Sequence, residues 1–173
     1  MIVAFEPTIR EWQSILESAT TDQLKFRPAP GEWTLGQLFV HILEESNHFL
    51  SEAQKCMQHD INREQKMTAE AEAMFAQNEF PDIRIKGDPA HVEKVLQIDN
   101  IQHLAFLIGD LKNKVSEMEK AILNQKHFGK TQHPGLGFFD ALEWHQYTEM
   151  HMRHHLRQKD RILKSWQDHH LIP

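Results

Sequence analysis

Between Pro7 and Thr21 the apolar residues Ile9, Trp12, Ile15, Leu16 and Ala19 recur at spacings that put them on one side of an α-helix. This predicts a first amphipathic helix that ends in the polar segment Thr20-Thr21-Asp22. Pro28, Pro30 and Gly31 then enforce a loop, and Thr34 supplies a hydroxyl to cap the first amides of a second helix. Leu38, Phe39, Ile42, Phe49 and Ala53 form its stripe and carry it to about Met57. From Ile61 to Asn78 good helix formers outnumber large apolar residues, which predicts a mobile or weakly packed connection with room for a short helix. Pro81, Gly87 and Pro89 interrupt regular structure before Ile101, Leu104, Leu107 or Ile108, Leu111, Val115, Met118 and Ile122 trace a third long helix. A loop containing Gly129, His133, Pro134, Gly135 and Gly137 leads to a last helix from about Phe139 to Trp166.

No strand-like alternation and no repeat period interrupts this pattern. The expected fold is therefore all-α, a four-helix bundle of one domain spanning residues 1–173, with a long linker between helices two and three. A chain of 173 residues is long enough to build a core without cross-links. Its formal net charge of -6 argues against a nucleic-acid partner, which requires a clustered basic face. The single cysteine, Cys56, cannot form an intramolecular disulfide, and the segment Met1 to Ala19 lacks the basic start and apolar centre of a secretory leader. A cytoplasmic setting is expected. No run approaches the ~18 uninterrupted apolar residues of a membrane span, so no membrane partner is expected either.

The chain carries 13 histidines, and their placement is more informative than their number. His151 and His155 stand four apart on the last helix, so their imidazoles project from one face and can share an ion. Spacing alone leaves His151 with His154 open as the pair, because neighbours three apart also share a face. His41 lies at the edge of the apolar stripe of the second helix. A lone histidine there is usually a packed core residue, and only a partner across the bundle makes it a ligand. Glu45, one turn beyond His41, is a candidate general base, outer-shell acceptor or fourth ligand, with a solvated surface charge as the ordinary alternative. His48 is nearly on the same face and His133 sits in the last loop; both are reserve candidates. Trp12, Trp33, Trp144 and Trp166 read as packing residues, with Trp144 close enough in register to His151 to line a pocket. Cys56 is too far along the second helix to join the site and reads as a small buried hydrophobe.

The run Pro30-Gly31-Glu32-Trp33-Thr34-Leu35-Gly36-Gln37-Leu38-Phe39-Val40-His41 is followed near the end by His133-Pro134-Gly135-Leu136-Gly137 and by His151-Met152-Arg153-His154-His155-Leu156-Arg157-Gln158. In this order and placement the motifs resemble those of the DinB-like (YfiT-like) superfamily of metal-dependent enzymes. The resemblance implies that Trp33-Thr34 opens the second helix, that His41 is the first ligand, and that His151 and His155 are the other two, with His154 pointing away. The flank departs modestly, since Gln158 is followed by Lys159 where the family often has isoleucine. The resemblance also implies nickel, zinc or iron as the divalent ion and a possible homodimer. It implies a small-molecule substrate attacked by an activated water or a low-molecular-weight thiol, the chemistry of a hydrolase or a thiol S-transferase. The alternative from a different class is a non-catalytic metal-binding or interaction bundle, whose ion would be closed in by four protein ligands.

Overall fold

A computed structural model describes residues 3–81, 94–125 and 128–170, and these are mostly helical. Among them the elements run α1 (Glu6–Ser18), α2 (Thr21–Lys25), α3 (Leu35–Gln58), α4 (Ala69–Gln77), α5 (Ile101–Asn124), β1 (Thr131–His133), β2 (Gly137–Phe139) and α6 (Ala141–His170). Gly87 and Pro89, expected to break regular structure, lie outside the described residues.

Helix α1 buries Ile9, Trp12, Ile15 and Leu16, the stripe read from the sequence. The polar segment after it does more than end a helix. Thr20 accepts a hydrogen bond from the Gln23 amide at 3.2 Å, and the Gln23 side chain accepts one from the Thr20 amide at 2.8 Å. This reciprocal cap starts the one-turn helix α2, which buries Leu24. Helix α3 begins with the same device: the Gln37 amide donates to the Thr34 hydroxyl at 3.0 Å, and the Thr34 amide donates to Gln37 Oε1 at 3.2 Å. Gly36 follows because a Cβ there would sit 2.3 Å from the carbonyl oxygen of Ile98 and 3.1 Å from that of Leu24. The chain before α5 and the end of α2 thus press directly on the first turn of α3.

The connection expected to be weakly packed with room for a short helix carries one. Thr68 caps α4, of which Ala71 and Met74, three positions apart on one side, are buried against the core while most of the segment is exposed. The expectation of no strands is corrected. Thr131–His133 and Gly137–Phe139 pair antiparallel, with Thr131 opposite Phe139 and His133 opposite Gly137. Strands this short leave no alternation to read. Gly137 has φ +87°, and a Cβ there would lie 2.6 Å from the Lys66 carbonyl oxygen, so the hairpin needs glycine on both counts. Because Phe139 belongs to β2, the last helix begins at Ala141. Asp140 caps it by accepting from the Glu143 amide at 2.9 Å while its own amide donates to Glu143 at 2.7 Å.

Helix α3 packs along both α6 and α5, and α1 packs against α5 and α6. Between them lie Trp12, Leu38, Phe39, Ile108, Leu111 and Trp144, all essentially inaccessible to solvent. No described helix is long and apolar enough to cross a membrane.

Candidate metal centre

The α3–α6 contact decides which histidines meet. The Thr34 cap fixes the start of α3, and His41, two turns in, turns towards α6. On α6, His151 and His155 face α3. Three imidazole nitrogens converge: His41 Nε2 is 3.1 Å from His155 Nε2, which is 3.2 Å from His151 Nε2. Nitrogens at the corners of a tetrahedron around an ion with bonds of ~2.0–2.1 Å lie about 3.3–3.4 Å apart. The observed separations are within a few tenths of an ångström of that, so this group could hold a metal ion.

The surroundings favour the neutral, ligand form of His151 and His155. Gln158 Oε1, an acceptor, lies 3.0 Å from His155 Nδ1, which therefore carries the proton and leaves the Nε2 lone pair aimed at the centre. Burial lowers the His155 pKa to about 4, with the Gln158 hydrogen bond acting against it. Burial, reinforced by the neighbouring imidazoles, holds His151 well below its ordinary value. His155 is buried, while His41 and His151 keep part of their surface.

Aromatic rings flank the nitrogens. Trp33, from the loop before α3, lies with its ring 4.5 Å from that of His41 and 6.4 Å from that of His155. Phe80 lies 6.2 Å from His151 and 5.5 Å from His154. Tyr147, one turn before His151, is parallel to it at 6.4 Å. Its hydroxyl lies 3.0 Å from His133 Nε2, so the hairpin histidine is tied to Tyr147 and not brought to the three nitrogens. Burial, and secondarily the Glu45 carboxylate, raises the Tyr147 pKa above its ordinary value, while burial lowers that of His133. Glu45 is half-buried, one turn from His41, and near enough to Tyr147 to act on it electrostatically. His48 is exposed and outside the group. His154 packs on Phe80 and His155 and is not one of the three.

Trp144 is buried, with Nε1 donating to the Thr131 hydroxyl at 2.7 Å and its ring stacked on Phe49. It ties the hairpin to α6. Cys56 is buried among Phe139 and Thr131, and burial raises its pKa, which disfavours the thiolate.

Tyr147, Gln158 and Phe80 are not singled out by residue type and spacing. Tyr147 and Gln158 carried a usable signal, four before His151 and three after His155 on one helix face. Phe80 carried none, because its place depends on contacts between α4 and α6.

Comparison with curated proteins and with solved structures returns no match. The model of one protein family, described as the DinB superfamily, matches residues 4–158, a span that takes in α1 through most of α6 and all three converging histidines. The chain belongs to the DinB superfamily.

Proposed function

We propose that the chain is a metal-dependent enzyme in which His41, His151 and His155 hold one divalent ion through Nε2. Nickel, zinc and iron are the candidates. The observation that carries the reading is the meeting of three imidazole nitrogens from two helices at 3.1 and 3.2 Å. Three neutral ligands leave an ion its full charge and an open position. An ion held there supplies Lewis acidity, which lowers the pKa of a water or low-molecular-weight thiol in that position and makes it a nucleophile near neutral pH. The substrate is a small molecule, acted on by hydrolysis or by transfer to the thiol.

The chain's own side chains would do the rest. Gln158 holds the His155 ring in the required tautomer. Glu45, one turn from His41 and half-buried, is the group we assign as general base. Trp33 and Phe80 limit the water that reaches the ligands. The partial exposure of His41 and His151 favours an open catalytic site over a closed structural ion. The packing of α1, α3, α5 and α6 on one another supports a four-helix bundle as the scaffold. A homodimer in the cytoplasm is the setting we propose for it.

The test is to load the protein with metal and screen it for ester and amide hydrolysis and for thiol transfer to electrophiles, beside Glu45→Gln. The expected result is metal-dependent turnover that falls about 10²–10⁴-fold in Glu45→Gln while bound metal is unchanged. Equal turnover in the two proteins would remove Glu45 from its role. No turnover in either class by fully loaded protein would contradict the enzyme reading.

A further inference from the structure

The chain that leaves α4 is tied to the ligand-bearing helix at several points. Asn78 takes a left-handed conformation, φ +52°, which turns the backbone back towards α6. There Gln146 donates to the Phe75 carbonyl at 3.1 Å and to Asn78 Oδ1 at 2.9 Å. Arg153 donates to the Asn78 carbonyl at 2.5 Å, and Arg157 to the Phe80 carbonyl at 3.2 Å and to Glu79 at 3.1 Å. Gln146, Arg153 and Arg157 are seven and four positions apart, which aligns them along one face of α6.

This clamp fixes the half-buried ring of Phe80 beside His151 at 6.2 Å, against Tyr147 at 5.1 Å and His154 at 5.5 Å. Trp33 lies beside His41 at 4.5 Å, with His155 further off at 6.4 Å. An apolar anchor alone would need no such set of polar ties. What they add is a fixed position for a ring that is not deeply buried. Both clamp arginines are committed, Arg153 also to Glu149 and Arg157 also to Glu79, so they are not poised to attract an anionic substrate.

We propose that Phe80 is a specificity-determining wall of the three-histidine centre, selecting substrates that carry a flat apolar group beside the atom that approaches the ion. This rests on the metal-centre reading. Aromatic faces favour planar apolar groups by edge and offset contacts, each worth a several-fold change in affinity. Arg157, which holds the Phe80 carbonyl, and Gln146 and Arg153, which hold Phe75 and Asn78 ahead of it, are positioning residues that act through the chain leading to Phe80.

The experiment uses the full chain loaded with cobalt(II), whose visible absorption reports added ligands, titrated with acetohydroxamate and with benzohydroxamate. The two probes differ in intrinsic metal affinity, so the informative quantity is the change in their affinity ratio between proteins. In Phe80→Ala the preference for benzohydroxamate should shrink by roughly fivefold, with cobalt content and acetohydroxamate affinity unchanged. Phe80→Leu, which keeps apolar bulk without the ring, should fall between. Arg157→Gln, which keeps Phe80 but loosens its backbone, should shrink the preference by less than Phe80→Ala does. An unchanged ratio in Phe80→Ala, or in Phe80→Leu and Arg157→Gln if Phe80→Ala does not fold, would overturn the proposal. Failure of the wild-type chain to take up cobalt would instead overturn the metal-centre reading beneath it.

Discussion

On the side of α6 that faces α1, buried polar atoms answer one another. Thr8 donates to Glu149 at 2.6 Å, Arg153 donates to the same carboxylate at 3.0 Å, and Trp12 donates to the Met152 carbonyl at 3.2 Å. Lys159, also buried, reaches Glu11 at 3.3 Å and Asp160 at 2.6 Å. On the side that faces α3, three imidazole nitrogens point at one another, and Nδ1 of His151 has no hydrogen-bond partner among the described residues. One side satisfies most of its polar groups from within, as a structural interface does, although the buried ring nitrogens of His145 find no hydrogen-bond partner among the described residues. The other gathers three imidazole nitrogens, an arrangement that becomes favourable when a cation is shared. The same helix thus carries an interface on one face and a candidate site on the other.

The largest difference should come from Trp12, fully buried on the α1 side. Trp12→Ala is expected to cost about 3–5 kcal/mol of stability in urea unfolding, by the same amount with and without added metal. A cost that depended on metal would mean that the two faces are not independent.

Next is acid. Burial holds both His145, on the α1 side, and His155, on the α3 side, at about 4. Unfolded, each titrates near 6.5, so the unfolded chain binds more protons between these values. Stability of the metal-free protein is therefore full above pH 6.5 and falls as pH drops towards 4, by on the order of 3 kcal/mol for each histidine. Glu119, 3.3 Å from His145, and Glu143 have raised pKa values that oppose this at the acid end, while the lowered pKa of buried His133 adds to it. Urea melts at pH 7.5, 6 and 5 should show the loss, and His145→Gln should remove only part of it. A flat profile would contradict neutral burial on both faces.

The smallest expected effect belongs to the hairpin tie. Tyr147→Phe removes the contact with His133 Nε2 and should cost ~1 kcal/mol while leaving metal content unchanged. Loss of metal in this variant would make Tyr147 part of the site's framework.

The four helices α1, α3, α5 and α6 were legible because each carries an apolar stripe long enough to repeat several times, as Leu104, Ile108, Leu111 and Val115 do in α5. The elements that escaped are short: α2 has one buried apolar residue, Leu24, and the strands have three residues each. Within the site, spacing left His154 and His155 equivalent as partners of His151, and the family resemblance favoured His155. The fold separates them because only His155 reaches His41, while His154 is turned onto Phe80. Phe80 itself was out of reach, since the clamp that sets it joins residues about 70 positions apart in the chain.

The most direct test is metal content by mass spectrometry on untagged wild-type protein and on His155→Ala, reconstituted and dialysed identically. About one equivalent of nickel, zinc or iron is expected in the wild type, as one site requires, and its loss in the variant. Wild type without metal after reconstitution, or equal metal in both proteins, would contradict it.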